Sequence, residues 1–380
     1  MRVMISCGEP SGDLYAASLA AELLRIDPSM ILTGFGGERL RQAGAHLVGD
    51  FGGLSVTGLV EVARVLPKTY AIYRKLVADA RANRPDVFVA VDFPDFNFRL
   101  AQAVRRLGVP VVYYISPQLW AWRPGRMKTM KRIADRVLVI FPFEAEMYRK
   151  AEVPVAWVGH PLLDRAWPSR PRHEWRVQIG ALPDVPLVAL LPGSRANEVR
   201  EILPLLIQTA DRISARLGRV QFVVARAPHL DDALFAPATE RGGMLLVEGM
   251  TDEVLAAADV ALLASGTVTV QAALHECPMV VVYRLAPLTY RLGKPFVRVD
   301  TYAMANLVAG RTVVPELIQD AFTPQAVADQ AVDILTNDAR ASRMRADLRE
   351  VRQRLGDPGA SRRAAAAVID VVRARSGCVG

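Results

Sequence analysis

The sequence predicts an α/β protein built from two doubly wound, Rossmann-like domains that face a central cleft. Three observations carry this. Short β-branched runs alternate with amphipathic stretches, the rhythm of βαβ units on a parallel sheet. The rhythm breaks once, over residues 164–186, where Pro, Arg and Trp are dense and periodicity is weak. And 380 residues are too many for one ordinary core, so two domains are the expectation.

In the first half, predicted strands lie at residues 3–7, 31–35, 87–91, 109–115, 137–140 and 155–158. Helical periodicity falls between them, clearest at 14–26, 70–82 and 98–107. The break at 164–186 reads as a linker. Strands then resume at 187–191, 220–225, 244–247, 260–263 and 280–283. The first domain is therefore expected over 1–165 and the second over 185–350, and an amphipathic stretch near 358–376 is expected to return to the first.

Composition narrows the function classes. The chain is 51% hydrophobic, yet no window approaches the roughly 18 uninterrupted apolar residues that suggest a membrane span. The opening Met1-Arg2 leads directly into a strand-like run, too short for a signal-peptide core. Cys7, Cys277 and Cys378 are odd in number and scattered, which fits neither a disulfide framework nor a zinc site and suits a reducing cytoplasm. Net charge is +8, which suits phosphate-bearing partners. Without a zinc finger, an aromatic RNA-binding motif or a basic tail, nucleic acid is not expected.

In open α/β sheets, ligands sit outside the carboxyl ends of the strands. Five stretches fall at such ends. SCGEPSGD (6–13) has Gly8 and Gly12 for a tight turn and Ser11 or Asp13 to cap a helix, and it leaves Glu9 unexplained. It is not a dinucleotide GxGxxG loop, so an oxidoreductase is poorly supported. PGSR (192–195) offers Gly193 and Ser194 backbone N–H groups and the Arg195 fork to a diphosphate. It lacks the Lys-Ser/Thr ending of a P-loop, and a capped helix with a surface arginine explains the fragment equally well. ASGTVT (264–269) supplies a second small-residue loop in the same half, with Ser265, Gly266 and Thr267. SPQLWAWR (116–123) brings Gln118, Trp120, Trp122 and Arg123, suited to a sugar or to lipid, or to core packing for the tryptophans. VDFPDFNFRL (91–100) places Asp92 and Asp95 three residues apart after a buried strand; helix capping by Asp95 or Asn97 is the plain alternative to chemistry. Separately, residues 51–73 are more apolar than one core face needs and carry Arg64 and Lys68, with Arg74 and Lys75 following. Contact with a membrane or acyl chain fits, although a buried helix is the commoner explanation.

Taken together, the sequence resembles the lipid-A-disaccharide synthases. The motifs run in order: GEPSGD (8–13), GGERLRQAG (36–44), SVTGLVEV (55–62), DFPDFN (92–97), SPQLWAWRPGR (116–126), FPFE (141–144), VGHPLLD (158–164), LLPGSRANEV (190–199), ASGT (264–267), PMVVVYR (278–284) and NLVAGRTVVPELIQ (306–319). The resemblance covers about residues 1–335. It implies a GT-B glycosyltransferase fold and inverting transfer from UDP-2,3-diacylglucosamine to 2,3-diacylglucosamine 1-phosphate (lipid X). The products are the β-1′,6-linked disaccharide 1-phosphate and UDP. It implies no metal and no cofactor, a cytoplasmic protein held peripherally at the anionic inner-membrane surface, and it leaves room for a homodimer.

The resemblance assigns roles residue by residue. Asp95 is the expected base, with Asp92 as runner-up or positioning group. Glu9, Ser11, Asp13, Asn97, Gln118, Trp120 and Arg123 are expected on the acceptor side. Gly193, Ser194, Arg195, Ser265, Gly266, Thr267, Gln271, Asn306 and Arg311 are expected around UDP, with Asn306 and Arg311 alternatively locking the domains together. One departure stands out: Gln271 occupies a position where the family usually has Glu. Two other readings remain open at this point, another UDP-sugar transferase or epimerase without acyl chains, and a non-catalytic membrane-associated binding protein.

Overall fold

In the computed structural model the described residues are 1–51, 59–119, 125–165, 170–228, 230–285 and 301–376; side chains of 59–65 and of Ser376 fall outside the description. The chain divides into two units, Met1–Asp164 with Leu355–Gly380, and Arg165–Pro295 with Val299–Arg354.

The first unit runs β1 (Arg2–Cys7), α1 (Pro10–Ile26), β2 (Ile31–Gly36), α2 (Glu38–Gln42), β3 (His46–Asp50), α3 (Leu59–Asn83), β4 (Val87–Val91), α4 (Pro94–Arg106), β5 (Val111–Tyr114), α5 (Arg126–Ile133), β6 (Arg136–Val139), α6 (Pro142–Lys150) and β7 (Val155–Trp157). Its strands are parallel, in the order β3-β2-β1-β4-β5-β6-β7. Helices cover both faces, so the central strands read as continuous apolar runs rather than alternating ones. All five residues of β4 are buried. Burying each Val or Phe contributes about 1.5–3 kcal/mol, which fixes β4 as the centre of the sheet.

The second unit runs α7 (Arg172–Gln178), β8 (Leu187–Leu191), α8 (Ala196–Leu217), β9 (Gln221–Arg226), α9 (Ala236–Arg241), β10 (Met244–Glu248), α10 (Thr251–Ala257), β11 (Val260–Ala264), α11 (Val268–Leu274), β12 (Met279–Tyr283), α12 (Met304–Ala309), β13 (Glu316–Ile318), α13 (Pro324–Thr336) and α14 (Asp338–Arg354). The strand order is β10-β9-β8-β11-β12-β13, again parallel. Both sheets reverse their winding once, between β1 and β4 in the first and between β8 and β11 in the second. These are the topological switch points, where the crevice for a ligand opens.

A last helix, α15 (Ala360–Ser376), packs on α1 and on β4, β5 and β6. Its buried face is small: Ala364, Ala365 and Val368 are fully enclosed, as are Ala16 and Ala20 of α1, which lets the two helices approach closely. Asp164 caps its start, accepting from the Gly359 and Ser361 N–H groups. Arg363 donates to the Val158 carbonyl at 2.8 Å, and Arg375 to the Gly108 carbonyl at 2.7 Å.

The structure departs from the sequence expectation in several elements. The supposed linker holds α7, whose Trp175 is buried. Its Arg176 is buried and donates to the Val185 carbonyl at 2.7 Å, and both it and the exposed Arg172 pair with Asp259. The edge strands β3 and β13 were not expected, being short and, in β3, half polar. The strand expected over 109–115 is confined to Val111–Tyr114, because Ile115 turns into the left-handed region at φ 60°. Residues 52–58 of the apolar 51–73 stretch lie outside the described residues, and α3 begins at Leu59.

His160, just beyond β7, is enclosed between Tyr15 and Phe141, at ring distances of 6.1 and 5.4 Å. Its Nδ1 accepts from the Leu162 N–H at 3.2 Å. Burial drives its pKa from 6.5 down to about 3. The folded state thus holds the neutral ring while the unfolded chain protonates below 6.5, so stability is full above that pH and is lost as pH falls toward 3. We expect acidification from pH 7 to pH 5 to remove about 2 kcal/mol through this residue. Urea unfolding of wild type and His160→Asn at both pH values measures it; an equal pH effect in the two proteins would reject the assignment.

Candidate active site

The loop after β4 has a tightly constrained backbone. Asp92 and Phe93 are consecutive non-glycine residues in the left-handed region, at φ 46° and 49°. Such residues cost about 1–3 kcal/mol each and persist only where the surroundings over-determine them. Here they do. The Asp92 carbonyl accepts from the Tyr113 hydroxyl at 2.8 Å and from Asn97 Nδ2 at 2.8 Å. Burial pushes the Tyr113 phenol well above its usual range, so it remains a donor. Asn97 is itself buried; its Nδ2 also faces the Ser6 carbonyl at 3.1 Å, and its Oδ1 accepts from Ser6 Oγ at 2.6 Å. One side chain therefore ties the carboxyl end of β1 to that of β4 across the switch point.

The two loops also interlock by shape. A Cβ on Gly8 would lie 2.3 Å from the Phe93 ring, so the ring needs the bare glycine. The turn delivers Pro94 into the first turn of α4, where Pro is preorganised, and sets Asp95 beside it. The Asp95 side chain is 79% exposed and pairs with Arg126, the first residue of α5. Asp92 is half-buried at the same strand end.

Of the other residues expected on this side, Glu9 occupies the position before α1. Its carbonyl accepts from Asp13 N at 2.8 Å and its side chain is half-buried. Ser11 is half-buried in the first turn and Gln118 is exposed beyond β5. Trp120 and Arg123 lie outside the described residues. Asp13 is a correction. Its buried carboxylate accepts from the N–H groups of Gly37, Arg39 and Leu40 at 2.7, 3.0 and 3.2 Å. The start of α2 is preceded by Gly37, which has no side chain to cap it, and Asp13 does so from α1. Asp13 is a scaffold residue.

In the second unit, PGSR and ASGT flank the β8/β11 switch point. Gly193 sits at φ 125° with Glu198 against it, so that a Cβ there would lie 2.5 Å from the carboxylate. Glu198, in the first turn of α8, accepts from Ser194 N at 3.2 Å and Arg195 N at 3.3 Å, and pairs with Arg195 Nη1 at 3.1 Å. The sequence did carry a signal for it, since an acid three residues into a helix commonly reaches back to the entering N–H groups. The loop is thus an anion cradle already holding a carboxylate, with Arg195 on its rim.

Ser265 Oγ donates to the Tyr302 carbonyl at 2.9 Å, Gly266 takes φ 150°, and Thr267 is exposed at the start of α11. Gln271 donates to Asp252 at 3.2 Å, an oxygen shared with His275 Nε2 at 3.0 Å.

Two residues expected near the nucleotide are otherwise engaged. Asn306 is buried: Oδ1 accepts from Val313 N and Val314 N at 2.7 and 2.9 Å, and Nδ2 donates to the Val314 carbonyl at 2.9 Å and Glu316 at 2.6 Å. Glu316 also accepts from Tyr302 N and Ala303 N at 2.7 and 3.1 Å. Asn306 and Glu316 thereby staple the turn between α12 and β13 and hold the Tyr302 backbone that receives Ser265. Arg311 is exposed and pairs with Asp347 and Glu350 of α14 at 2.8 and 2.9 Å. Among the described residues, no group of three or more His, Cys, Asp or Glu is arranged to hold a metal ion.

Comparison with known proteins bears on this architecture. The LpxB family model, lipid-A-disaccharide synthetase, matches residues 3–371. A lipid-A-disaccharide synthase of Geobacter metallireducens is 42% identical over 98% of this chain and 97% of its own. One from Myxococcus xanthus is 41% identical over 98% and 97%. Among solved structures, the calicheamicin glycosyltransferase CalG4 shares 18% identity at a TM-score of 0.62, covering 98% of each chain. MurG of Acinetobacter baumannii shares 15% at 0.56, covering 97% of this chain and 99% of its own. The UDP-GlcNAc 2-epimerase of Neisseria meningitidis shares 12% at 0.68, covering 97% and 100%. At such identities these structures speak to fold alone: two Rossmann-like sheets of the GT-B type. Full-length identity above 40%, on a frame whose two switch points carry the predicted motifs, establishes that the chain belongs to the lipid-A-disaccharide synthase family.

Proposed function

We propose that this hexosyltransferase moves 2,3-diacylglucosamine from UDP-2,3-diacylglucosamine to lipid X with inversion. The observation that carries the mechanism is the loop after β4, whose strained and multiply clamped backbone presents the Asp95 carboxylate at the switch point. Asp95 takes the proton of the acceptor 6-hydroxyl as that oxygen attacks the donor anomeric carbon and the bond to UDP breaks. The Arg195 guanidinium, on the rim of the PGSR loop, receives the diphosphate and the charge that develops on it. Glu9 and Ser11 line the acceptor side, and Gln271 with Asp252 lies toward the nucleoside.

The acylated substrates imply a membrane surface. Exposed Leu66 and Tyr70, 54% and 62% accessible and one turn apart on α3, support contact with a bilayer surface. No described helix is long and apolar enough to cross a membrane.

The test is UDP release by the full chain from UDP-2,3-diacylglucosamine in mixed micelles, with and without lipid X, and with the product mass determined. Release should require lipid X and yield one disaccharide 1-phosphate per UDP. Release independent of lipid X would remove the acceptor from the proposal, and an interconverted sugar nucleotide would favour an epimerase.

A further inference from the structure

We propose that the cavity between the last turns of α4 and α5 binds a phosphate group, carried on a small organic molecule, at the edge of the first sheet opposite its switch point. The cavity has a volume of about 290 Å³ and is lined by Gln102, Arg105, Arg106, Arg132 and Ile133. Its place follows from topology. α4 starts at Pro94, at the carboxyl end of β4, and ends at Arg106, shortly before β5 begins at Val111. At 1.5 Å per residue, Arg106 lies roughly 17 Å along the helix from Asp95. α5 likewise ends at Ile133, just before β6, so the cavity lies at the amino ends of the strands.

The three arginines are not equivalent. Arg105 is half-buried and engaged: it donates to the carbonyl of Ile133, the last residue of α5, at 3.2 Å and pairs with Asp135 at 2.7 Å. Asp135 is held in turn by Val111 N at 2.8 Å and Arg375 at 3.2 Å. A helix C-terminus draws basic side chains, and Arg105 is placed as that effect requires. Arg106 and Arg132 are exposed, and neither has an ion-pair or hydrogen-bond partner among the described residues. Among those residues, no acidic side chain lines the cavity. Three like charges around one small cavity repel one another, and an anion placed between them turns that repulsion into attraction.

The lining selects the ligand. Arginine presents paired N–H groups that match the oxygens of a phosphate. Gln102 adds an amide that donates and accepts, and Ile133 adds an apolar wall for the carrier. Pockets for small molecules span about 300–1,000 Å³. A cavity near the lower bound has room for a phosphate on a compact group such as glycerol, and not for a whole sugar nucleotide. Two sources present that chemistry, a soluble phosphate ester and the headgroup of an anionic lipid. Arg106 and Arg132 read the same group in both. Neither residue belongs to the transfer machinery proposed above, so occupancy is measured as binding.

The experiment titrates the full chain with glycerol 3-phosphate by calorimetry at constant ionic strength, with excess UDP present to fill the nucleotide site. In parallel, the protein is sedimented with phosphatidylcholine vesicles with and without phosphatidylglycerol. Replacing both residues, Arg106→Gln with Arg132→Gln, should weaken binding by on the order of tenfold to a hundredfold, with the melting temperature of the free protein unchanged. Dependence on the two arginines with glycerol 3-phosphate assigns a soluble ester. Dependence with phosphatidylglycerol vesicles alone assigns a lipid headgroup. Arg99→Gln with Lys128→Gln removes two exposed charges from the same helices outside the cavity, and should bind as wild type. An equal loss in that control reduces the effect to net charge and ends the proposal, as does binding of neither probe or binding that ignores Arg106 and Arg132. Should the double variant fail to fold, amide exchange of wild type decides. Either probe should slow exchange in the last turns of α4 and α5, and no protection there rejects the site.

Discussion

Asp95→Asn is expected to reduce UDP release from UDP-2,3-diacylglucosamine and lipid X by about 10²–10⁴-fold, the usual contribution of a positioned general base. The substitution keeps size and shape and removes the charge and with it the capacity to take a proton. Stability should barely change, because the side chain is 79% exposed and an exposed ion pair such as that with Arg126 contributes about 0–1 kcal/mol. Steady-state release together with urea unfolding separates the two effects. Asp92→Asn provides the contrast. The part of Asp92 that holds the loop is its carbonyl, which accepts from Tyr113 and Asn97 and survives the substitution. A larger loss at residue 92 than at 95 would exchange their roles.

Asn306→Ala should instead show its effect in stability, by about 3–5 kcal/mol in the second unit. The amide side chain makes four bonds, and its removal strands two buried N–H groups, of Val313 and Val314, with no replacement partner. Each such group costs about 1–3 kcal/mol when left unsatisfied. Amide exchange at those two positions should accelerate together with the shift in the unfolding midpoint. Lost UDP release at unchanged stability would return Asn306 to the nucleotide site.

Much of the frame was legible because its signals are local. β1, β4, β8 and β11 are short, mainly apolar runs with Gly, Ser or Asp within two residues of their ends, and that pattern marks a buried strand leading to a ligand loop. Both pairs of loops stand at the switch points, as strand order requires. What could not be read was the division of the polar residues into chemistry and scaffold. Asp13 meets its partners 24 to 27 residues on, Asn97 meets Ser6 across 91, and Asp164 caps a helix 195 away. At a strand end such a residue has the same sequence appearance as one awaiting substrate. The same remoteness hid α7, whose Arg176 looks solvated until Asp259 and the Val185 carbonyl are placed beside it. β3 and β13 escaped for a different reason: edge strands this short bury too little to carry a pattern.

The return of α15 to the first unit has a consequence for biosynthesis. The face of α1 that it covers is made on the ribosome before the second unit, and its cover only after it. Residues 165–354 intervene, and they form a unit with its own sheet. The second unit can therefore close during translation, whereas the first, although begun sooner, must wait with the alanine-rich face of α1 and the adjoining side of its sheet open to water. Order of synthesis and order of completion are reversed in this chain.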